Sequence, residues 1–442
     1  MKNYIIEDKI ILNCPLSVDI KNKVIFIINE CLNKLIEVKQ MPGFTTQLGV
    51  MLELAEVRDL INDVELCDEY IFSIMNNIRN ELYEGVFSER LGLCEGMANV
   101  GIVLRYYSDK TDYYKKFLFD FDKLFVRYVK NKVQNLYSNS EDLRPLDFDV
   151  IYGLSGILQY LLEIDDGENE ELIESSVKWL CNLTEPVDFG EKYQLPGWFI
   201  KSNNVVGEQE KKYFSTGQIN YGMAHGITGV LAILLKVYKR NILRENVFNA
   251  MRRIVQELEK TIRHFPDTKI GYFPEIVAPK EYIEHSFFVH KKGRMSWCYG
   301  SVTIYYILYL YYRSMNNITR CSEIISNLIE IAKKGNECWK LESPIVCHGY
   351  AGTAHIFKNL YIHTKQKEFI KAYETLIEKT VESFDRNSLF GFKDVFYKEE
   401  DGKFNCMIED KNTFLEGASG IISVLVGFLI SKEGVSSLLL LD

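Results

Sequence analysis

The sequence contains little that would interrupt regular structure and no patch that would attract nucleic acid. Its 442 residues include only nine prolines, and no low-complexity tract separates one region from another. Lys and Arg total 52 against 61 Asp and Glu, the formal net charge is -9, and no basic block or stripe occurs. Because phosphate contacts need clustered positive charge, we expect no nucleic-acid partner, whereas a neutral or cationic peptide would be electrostatically acceptable.

The sequence also lacks a secretion signal, a disulfide framework and a membrane span. The first residues show no signal-peptide plan, and the ten cysteines are scattered without short-range spacing. The most apolar runs, residues 304–312 and 421–430, are about half as long as the ~20 residues that a membrane span requires. We therefore expect a reducing, cytoplasmic setting, and we leave open a peripheral association with a membrane complex.

A glycine motif recurs along the chain, and each copy opens an apolar, helix-like run. The first glycines of the clear copies are 49 to 74 residues apart, and they are Gly96, Gly153, Gly226, Gly300, Gly349 and Gly417. A looser copy begins near Gly49. Amphipathic stretches lie between the copies, for example residues 243–265, 324–334 and 366–384, with apolar residues at every third or fourth position. Such repetition predicts an array of similar units.

The two helix types predict an all-α fold. Apolar helices belong inside and amphipathic helices outside, so a ring of inner helices surrounded by outer helices, an α/α toroid, satisfies both patterns. The glycines would mark turns at one end of the ring, where the backbone runs close to its neighbours or takes a positive φ. An unclosed α-solenoid is the alternative. We treat residues 1–442 as one domain, with irregular or short β structure in residues 184–220.

Three of the glycine turns carry residues that can bind a metal. They are Ala224-His225-Gly226, Trp297-Cys298-Tyr299-Gly300 and Cys347-His348-Gly349. In a ring of repeats, Cys298 would lie near Cys347 and His348. Two thiolates and one imidazole suit Zn²⁺ and leave a fourth position for water or substrate. The alternative is that both cysteines are buried apolar residues and that His348 is a helix cap.

Four further residues near these turns are candidates for catalysis. His225 is a fourth ligand, an acid/base group that faces the metal, or a core histidine. Asp149 either orients His225 or holds metal-bound water, or it is a helix N-cap or a solvated loop acid. Arg294 either stabilises a developing anion or lies on the surface. Tyr299 either donates a hydrogen bond into the site or only packs.

At these residues the sequence resembles the lanthionine synthetase C-like family. The resemblance covers roughly residues 91–426, and it rests on the glycine repeats with Gly222-Met-Ala-His-Gly-Ile-Thr-Gly229, Trp297-Cys-Tyr-Gly300 and Cys347-His-Gly349. It implies a toroid of seven inner and seven outer helices. It also implies that a zinc ion is held by three ligands, Cys298, Cys347 and His348, and that the active-site residues are His225, Asp149, Arg294 and Tyr299.

The resemblance also implies an activity and partners. Bacterial members of the family are cyclases in lantibiotic biosynthesis, and they add cysteine thiols of a precursor peptide to dehydroalanine and dehydrobutyrine to form thioether rings. The expected partners are a dehydrated precursor peptide, a dehydratase and a peptide exporter. With no large N-terminal dehydratase region, the chain looks like the stand-alone type of cyclase. Residues 184–220 would hold the small β-rich extension that resembles an SH2 domain.

The chain departs from the family pattern at one inner helix. The family usually follows Trp-Cys-Tyr-Gly with a further glycine and a Pro-Gly pair, whereas Ser301-Val302-Thr303 stands here. This departure puts the backbone path into that helix in question. In the first clear repeat, Asn99 stands where glycine is usual.

Other functions remain open on the sequence. A zinc thiol transferase would add glutathione or another small thiol to dehydroamino acids. A non-catalytic scaffold would only bind the precursor or the dehydratase. Another toroid enzyme, such as a glycosidase or a terpene cyclase, would need paired acids at the mouth of the barrel, where the repeat turns of this chain carry Cys and His.

Overall fold

The structure, a computed structural model, describes residues 4–6, 9–10, 18–38, 43–139, 142–265, 268, 270–287, 293–400, 403–430 and 435–442. Its helices in chain order are α1 (Val18–Glu37), α2 (Phe44–Val57), α3 (Val64–Tyr83), α4 (Met97–Thr111), α5 (Lys115–Ser138), α6 (Pro145–Phe148), α7 (Leu154–Glu163), α8 (Glu170–Asn182), α9 (Glu208–Tyr213), α10 (Ile227–Lys239), α11 (Arg244–Thr261), α12 (Pro279–Glu284), α13 (Ser301–Ser314), α14 (Ile318–Lys334), α15 (Asn336–Trp339), α16 (Tyr350–Thr364), α17 (Lys367–Glu382), α18 (Ala418–Leu429) and α19 (Val435–Leu439). The strands are β1 (Val187–Phe189), β2 (Tyr193–Leu195), β3 (Ile219–Asn220), β4 (Arg263–His264), β5 (Gly271–Tyr272), β6 (Ile276–Val277), β7 (Asp394–Glu400) and β8 (Lys403–Glu409).

Each glycine of the clear repeats directly precedes a helix, as the sequence predicts. These helices are α4, α7, α10, α13, α16 and α18, and their burial extends around the helix, as in α10, where every residue from Ile227 to Leu235 is buried. The intervening helices are amphipathic. In α11 the buried residues follow a three-or-four spacing, from Val247 through Ala250, Met251 and Ile254 to Leu258. The predicted amphipathic stretches therefore correspond to α11, α14 and α17.

Close backbone approach explains why glycine stands at the helix starts. Gly226 has φ −127° and Gly300 has φ −164°, values that any residue can adopt. A Cβ atom built on Gly300 would overlap the backbone of Ser296, and one built on Gly349 would overlap the carbonyl oxygen of Ser343. Of the two explanations that the sequence left open, the structure supports close approach and not a positive φ. The looser repeat differs, because Gly49 lies inside α2, whose first residue is Phe44.

The departure at residues 301–303 leaves the start of α13 intact. Gly300 is the N-cap residue, and α13 begins at Ser301. The Ser301 hydroxyl accepts a hydrogen bond from the amide of Phe273 (2.9 Å), and the Thr303 hydroxyl donates one to the carbonyl oxygen of Ser296 (2.9 Å). These two hydroxyl groups therefore connect the first turn of α13 to Phe273 and to Ser296.

The described chain divides into two compact units. One unit comprises Met1–Ser88, Asn99–Leu118 and Leu341–Asp442. In it, the apolar helices α16, α18 and α2 pack in that order. Each of them also contacts one amphipathic helix: α17, α1 and α3, respectively. Helix α1 also contacts α17, so the amphipathic layer is continuous there.

The other unit comprises Glu89–Ala98 and Phe119–Lys340. The apolar helices α7, α10 and α13 pack side by side, with α10 in the middle, and each contacts the amphipathic helix that follows it: α8, α11 and α14. Helices α8 and α11 also contact each other. Within each unit, the apolar helices pack against one another and against the amphipathic helices, as their composition requires.

The strands form short antiparallel pairs and no larger sheet among the described residues. The pairs are β1–β2, β3–β6, β4–β5 and β7–β8. Residues 184–220 contain β1, β2, β3 and the short helix α9, in keeping with the predicted irregular or β-rich structure. That this segment is an inserted extension of a single 442-residue domain stays a prediction.

In the part of the chain that the structure describes, no helix combines the length and the apolar character that crossing a membrane would take.

Candidate active site and metal centre

Backbone hydrogen bonds join the turns that precede α7, α10 and α13. The amide of Val150 donates to the carbonyl oxygen of Ala224 (3.0 Å), and the amide of Met223 donates to the carbonyl oxygen of Cys298 (2.8 Å). Each acceptor lies two residues before the glycine of its turn. The residues directly before the glycines are consequently neighbours, and they are Tyr152, His225 and Tyr299.

A buried carboxylate orients the imidazole of His225. Oδ2 of Asp149 lies 2.7 Å from Nδ1 of His225, and Asp149 is only 1% exposed. The other carboxylate oxygen, Oδ1, accepts hydrogen bonds from the amides of Tyr152 (2.7 Å) and Gly153 (2.8 Å). Asp149 thus accepts two backbone hydrogen bonds within the turn and also contacts His225, and the N-cap residue of α7 is Gly153. Because Nδ1 faces Asp149, Nε2 is the nitrogen that remains for chemistry.

The same contact changes the acidity of His225. Burial lowers the pKa of His225, but the hydrogen bond with Asp149, the charge of Asp149 and the charge of Cys298 together raise it more. The pKa of the imidazole therefore lies above its ordinary value of 6.5. A histidine in this environment stays protonated to a higher pH and can deliver a proton from Nε2 near neutral pH.

Tyr299 is held as a neutral phenol beside His225. Its hydroxyl oxygen accepts a hydrogen bond from Nδ2 of Asn220 (2.9 Å), and its ring centroid lies 6.5 Å from that of His225. Burial raises the pKa of Tyr299 far above its ordinary value of 10, although the bond from Asn220 counters this in part. The Tyr299 hydroxyl therefore keeps its proton and remains a hydrogen-bond donor.

The structure brings together the three residues that the sequence singled out as metal ligands. The candidate ligand atoms of Cys298, Cys347 and His348 all lie within 4.8 Å of one another. Both cysteines are free thiols. Among the described residues, this is the one group of three or more His, Cys, Asp or Glu side chains with such spacing. His225 does not belong to the group, so its use as a fourth ligand gains no support.

The sulfur of Cys298 lies in a polar and cationic environment. Nη2 of Arg294 is 4.0 Å from Sγ of Cys298, and the hydroxyl of Ser296 is 3.8 Å from it. Cys298 is 4% exposed. A nearby guanidinium favours the thiolate over the thiol, and the thiolate is the form that binds metal. Arg294 is therefore directed at the ligand group and does not point away on the surface.

His348 contacts a carboxylate that sequence reasoning did not identify. Oδ1 of Asp394 lies 3.3 Å from Nε2 of His348, and Asp394 is 3% exposed. The amide of Asn220, which holds Tyr299, was missed as well. Asp394 follows His348 by 46 residues and lies in no glycine repeat, so the sequence offers no local signal for it. Asn220 lies six residues before Gly226, outside the tripeptide that drew attention to that turn.

Comparisons with known proteins agree with this architecture. The model of the family described as lanthionine synthetase C-like protein matches residues 43–440. The nisin biosynthesis protein NisC of Lactococcus lactis subsp. lactis is 28% identical over 395 residues, which cover 86% of this chain and 83% of that relative. Among solved structures, nisin cyclase is similar with a TM-score of 0.77 and 24% identity, over 96% of this chain and 98% of that chain.

These findings confirm two predictions made from the sequence. The likeness to the solved structure shows the fold, so the predicted α/α toroid class is correct. The matching family model spans nearly the whole chain and includes all seven candidate site residues. The chain belongs to the lanthionine synthetase C-like family.

Proposed function

We propose that this protein is a zinc-dependent cyclase that closes lanthionine and methyllanthionine rings in lantibiotic biosynthesis. Its substrate would be a dehydrated precursor peptide, whose cysteine thiols add to dehydroalanine or dehydrobutyrine. The observation that carries the proposal is the Cys298, Cys347 and His348 group, found in a chain that also holds a histidine oriented by a buried aspartate. Family membership and the likeness to nisin cyclase support the same activity.

The donor set fits zinc in kind and in number. Two thiolates and one imidazole match the sulfur and nitrogen ligands that zinc prefers, and three protein ligands are typical of catalytic sites that keep one position open. The three atoms are close enough to share one ion. Zinc held there would lower the pKa of a thiol that binds to it and so supply a thiolate nucleophile at neutral pH.

His225 is the proposed proton donor of the reaction. Asp149 holds Nδ1, so the proton that leaves the imidazolium is the one on Nε2. Attack of the substrate sulfur on the β-carbon opens the carbon–carbon double bond and leaves an enolate. Nε2 of His225 then protonates the α-carbon, and the proton released by the thiol restores the imidazolium. One S–H is added across one C=C, so no oxidant or reductant is needed.

Arg294 and Tyr299 are the proposed anion-stabilising groups. The guanidinium of Arg294 is next to Cys298, where it also balances the negative charge of the ligand sulfurs. The neutral hydroxyl of Tyr299 is adjacent to His225 and can donate a hydrogen bond to the enolate oxygen. Preorganised donors of this kind act where charge develops in the transition state.

The test uses a synthetic peptide that contains one dehydroalanine and one cysteine. Ring closure leaves the peptide mass unchanged but removes the thiol that an alkylating reagent would label. We expect the wild-type protein, with about one zinc per chain, to abolish alkylation faster than the uncatalysed reaction. With glutathione also present, a mass gain of one glutathione in place of ring closure would favour a thiol transferase, and peptide binding without either product would favour a scaffold.

A matched pair of cysteine variants separates zinc binding from general loss of a buried thiol. Cys347→Ala removes a candidate ligand and should lose both zinc and activity. Cys94→Ala removes a buried thiol that stands two residues before Gly96, as Cys347 stands before Gly349, but that is absent from the ligand group. It should keep both. Equal zinc in the two variants would contradict the assigned ligand set.

The cellular setting is part of the same proposal. A dehydratase has to supply the dehydroamino acids, and a peptide exporter would remove the product, so a complex with both is expected. We also propose a cytoplasmic location, with peripheral membrane association through that complex. Co-purification of the tagged chain with the two proteins, from cells that make the precursor, tests this part.

A further inference from the structure

The pair formed by Asp394 and His348 suggests a second carboxylate with a defined task. Asp394 is the first residue of β7, it is 3% exposed, and its Oδ1 is 3.3 Å from Nε2 of His348. The same oxygen accepts a hydrogen bond from the hydroxyl of Ser343 (2.8 Å). A buried carboxylate is costly unless it is paired, and both of these partners belong to the segment around the His348 turn.

The backbone around Ser343 fixes this carboxylate relative to His348. The carbonyl oxygen of Ser343 accepts from the amide of Tyr350 (2.8 Å), at the first turn of α16. Its hydroxyl accepts from the amide of Val395 (3.2 Å) while it donates to Asp394. Ser343, itself 1% exposed, therefore ties β7 to the start of α16. Asp394 and His348 are held by the same short network.

Asp394 contacts one residue of the ligand group but is not a member of the group. The group in which all ligand atoms lie within 4.8 Å of one another contains Cys298, Cys347 and His348 only. Nε2 of His348 lies 3.3 Å from Oδ1 of Asp394, so Nδ1 would be the nitrogen offered to a metal. Metal-binding histidines commonly donate their second ring N–H to a carboxylate, which fixes the tautomer and the ring orientation.

We infer that Asp394 is a positioning residue that holds His348 with its proton on Nε2, so that Nδ1 is presented to the zinc ion. The inference rests on the proposed function, because it presumes a zinc ion at this group. Asp149 and Asp394 then use one device for opposite purposes. Asp149 is 2.7 Å from Nδ1 of His225 and leaves Nε2 for proton transfer, whereas Asp394 is 3.3 Å from Nε2 of His348 and would leave Nδ1 for the metal.

The experiment measures zinc affinity by competition with a chelator of known strength, using purified full-length protein and zinc alone. Asp394→Ala should weaken zinc binding on the order of 10- to 100-fold, as loss of such a carboxylate does elsewhere. Asp394→Asn should give a smaller loss, because the amide oxygen can still accept from Nε2. Cobalt(II) in place of zinc should show a shifted ligand-field spectrum in both variants.

A control variant separates positioning from folding. Asp410 directly follows β8, the strand that pairs with β7. It accepts hydrogen bonds from the hydroxyl of Ser388 and from the amide of Leu389. Asp410→Asn should change thermal stability without changing zinc affinity or the cobalt spectrum. If Asp394→Ala fails to fold, the zinc affinity and cobalt spectrum of Asp394→Asn are compared with those of Asp410→Asn.

The outcomes distinguish the inference from the proposed function. Tight zinc binding by the wild type with an unchanged affinity and cobalt spectrum in both Asp394 variants would overturn the role of Asp394 and leave the cyclase proposal intact. Absence of zinc binding in the wild type would overturn both. A loss in the Asp394 variants, with no loss in Asp410→Asn, supports the inference whatever the rate of ring closure.

Discussion

Replacement of Asp149 by asparagine tests how the proton donor is built. Oδ1 of Asp149 accepts from the amides of Tyr152 and Gly153, and Oδ2 faces Nδ1 of His225 at 2.7 Å. In Asp149→Asn the amide oxygen can keep the two backbone bonds, so its NH₂ group turns toward His225. The NH₂ group donates a hydrogen bond, whereas the carboxylate accepted one. Nδ1 of His225 can accept that bond only when it carries no proton, so the variant disfavours the imidazolium form of His225.

The rate of ring closure should fall strongly, because the variant retains the imidazole of His225 but disfavours its protonated form. Positioned proton transfer contributes roughly 10²- to 10⁴-fold to a rate, which corresponds to about 3–5 kcal/mol. The pH dependence should change as well. In the wild type the raised pKa of His225 keeps the acid form available above pH 6.5, and the rate falls as the pH rises through that pKa. Without the Asp149 bond and charge, burial dominates and this fall moves to lower pH.

The assay is single-turnover ring closure of the dehydroalanine–cysteine peptide, followed by loss of the alkylatable thiol across a pH series. Zinc content is measured in each sample, because the prediction requires that the metal stays bound. Asp147→Asn is the matched control: Asp147 is a neighbouring acid, 4% exposed, that pairs with Arg144 and does not contact His225. A rate for Asp149→Asn within threefold of the wild type, with an unmoved pH profile, would refute the assignment.

Three further predictions concern stability and the phenol. Burial raises the pKa of Glu53 from 4.5 to about 7, so between these pH values the folded state binds a proton that the unfolded state has lost. The free energy of unfolding of the wild type should therefore fall by roughly 3 kcal/mol as the pH rises through this range. Glu53→Gln should remove this pH dependence, measured by urea unfolding of zinc-free protein. Gly300→Ala should cost roughly 3 kcal/mol or more by overlap with Ser296, whereas Gly293→Ala, with no atom nearer than 3.9 Å, should cost little in the same measurement. Tyr299→Phe should slow ring closure by about 10²-fold with zinc retained, and an unchanged rate would mean that the phenol only packs.

Helix type and helix order were accessible from sequence because burial leaves a local pattern. Residues 243–265 show a three-or-four apolar spacing and form α11, while the apolar run after Gly226 forms α10, buried on all sides. The reason for the glycines was not accessible. A glycine that allows a positive φ and a glycine that allows close approach look identical in sequence, and only the position of the Ser296 backbone against Gly300 distinguishes them.

By itself, the sequence determined which side chains could bind a metal and which turns carry them, because ligand chemistry belongs to residue type and the turns recur with the repeat. Cys298, Cys347, His348 and His225 were named on that basis, and Asp149 was named because it lies four residues before Gly153. The tertiary structure decided which atoms meet. The contacts of Nδ1 of His225 and Nε2 of His348, and the partners Asp394 and Asn220, join segments tens of residues apart, and such contacts leave no periodic trace in the chain.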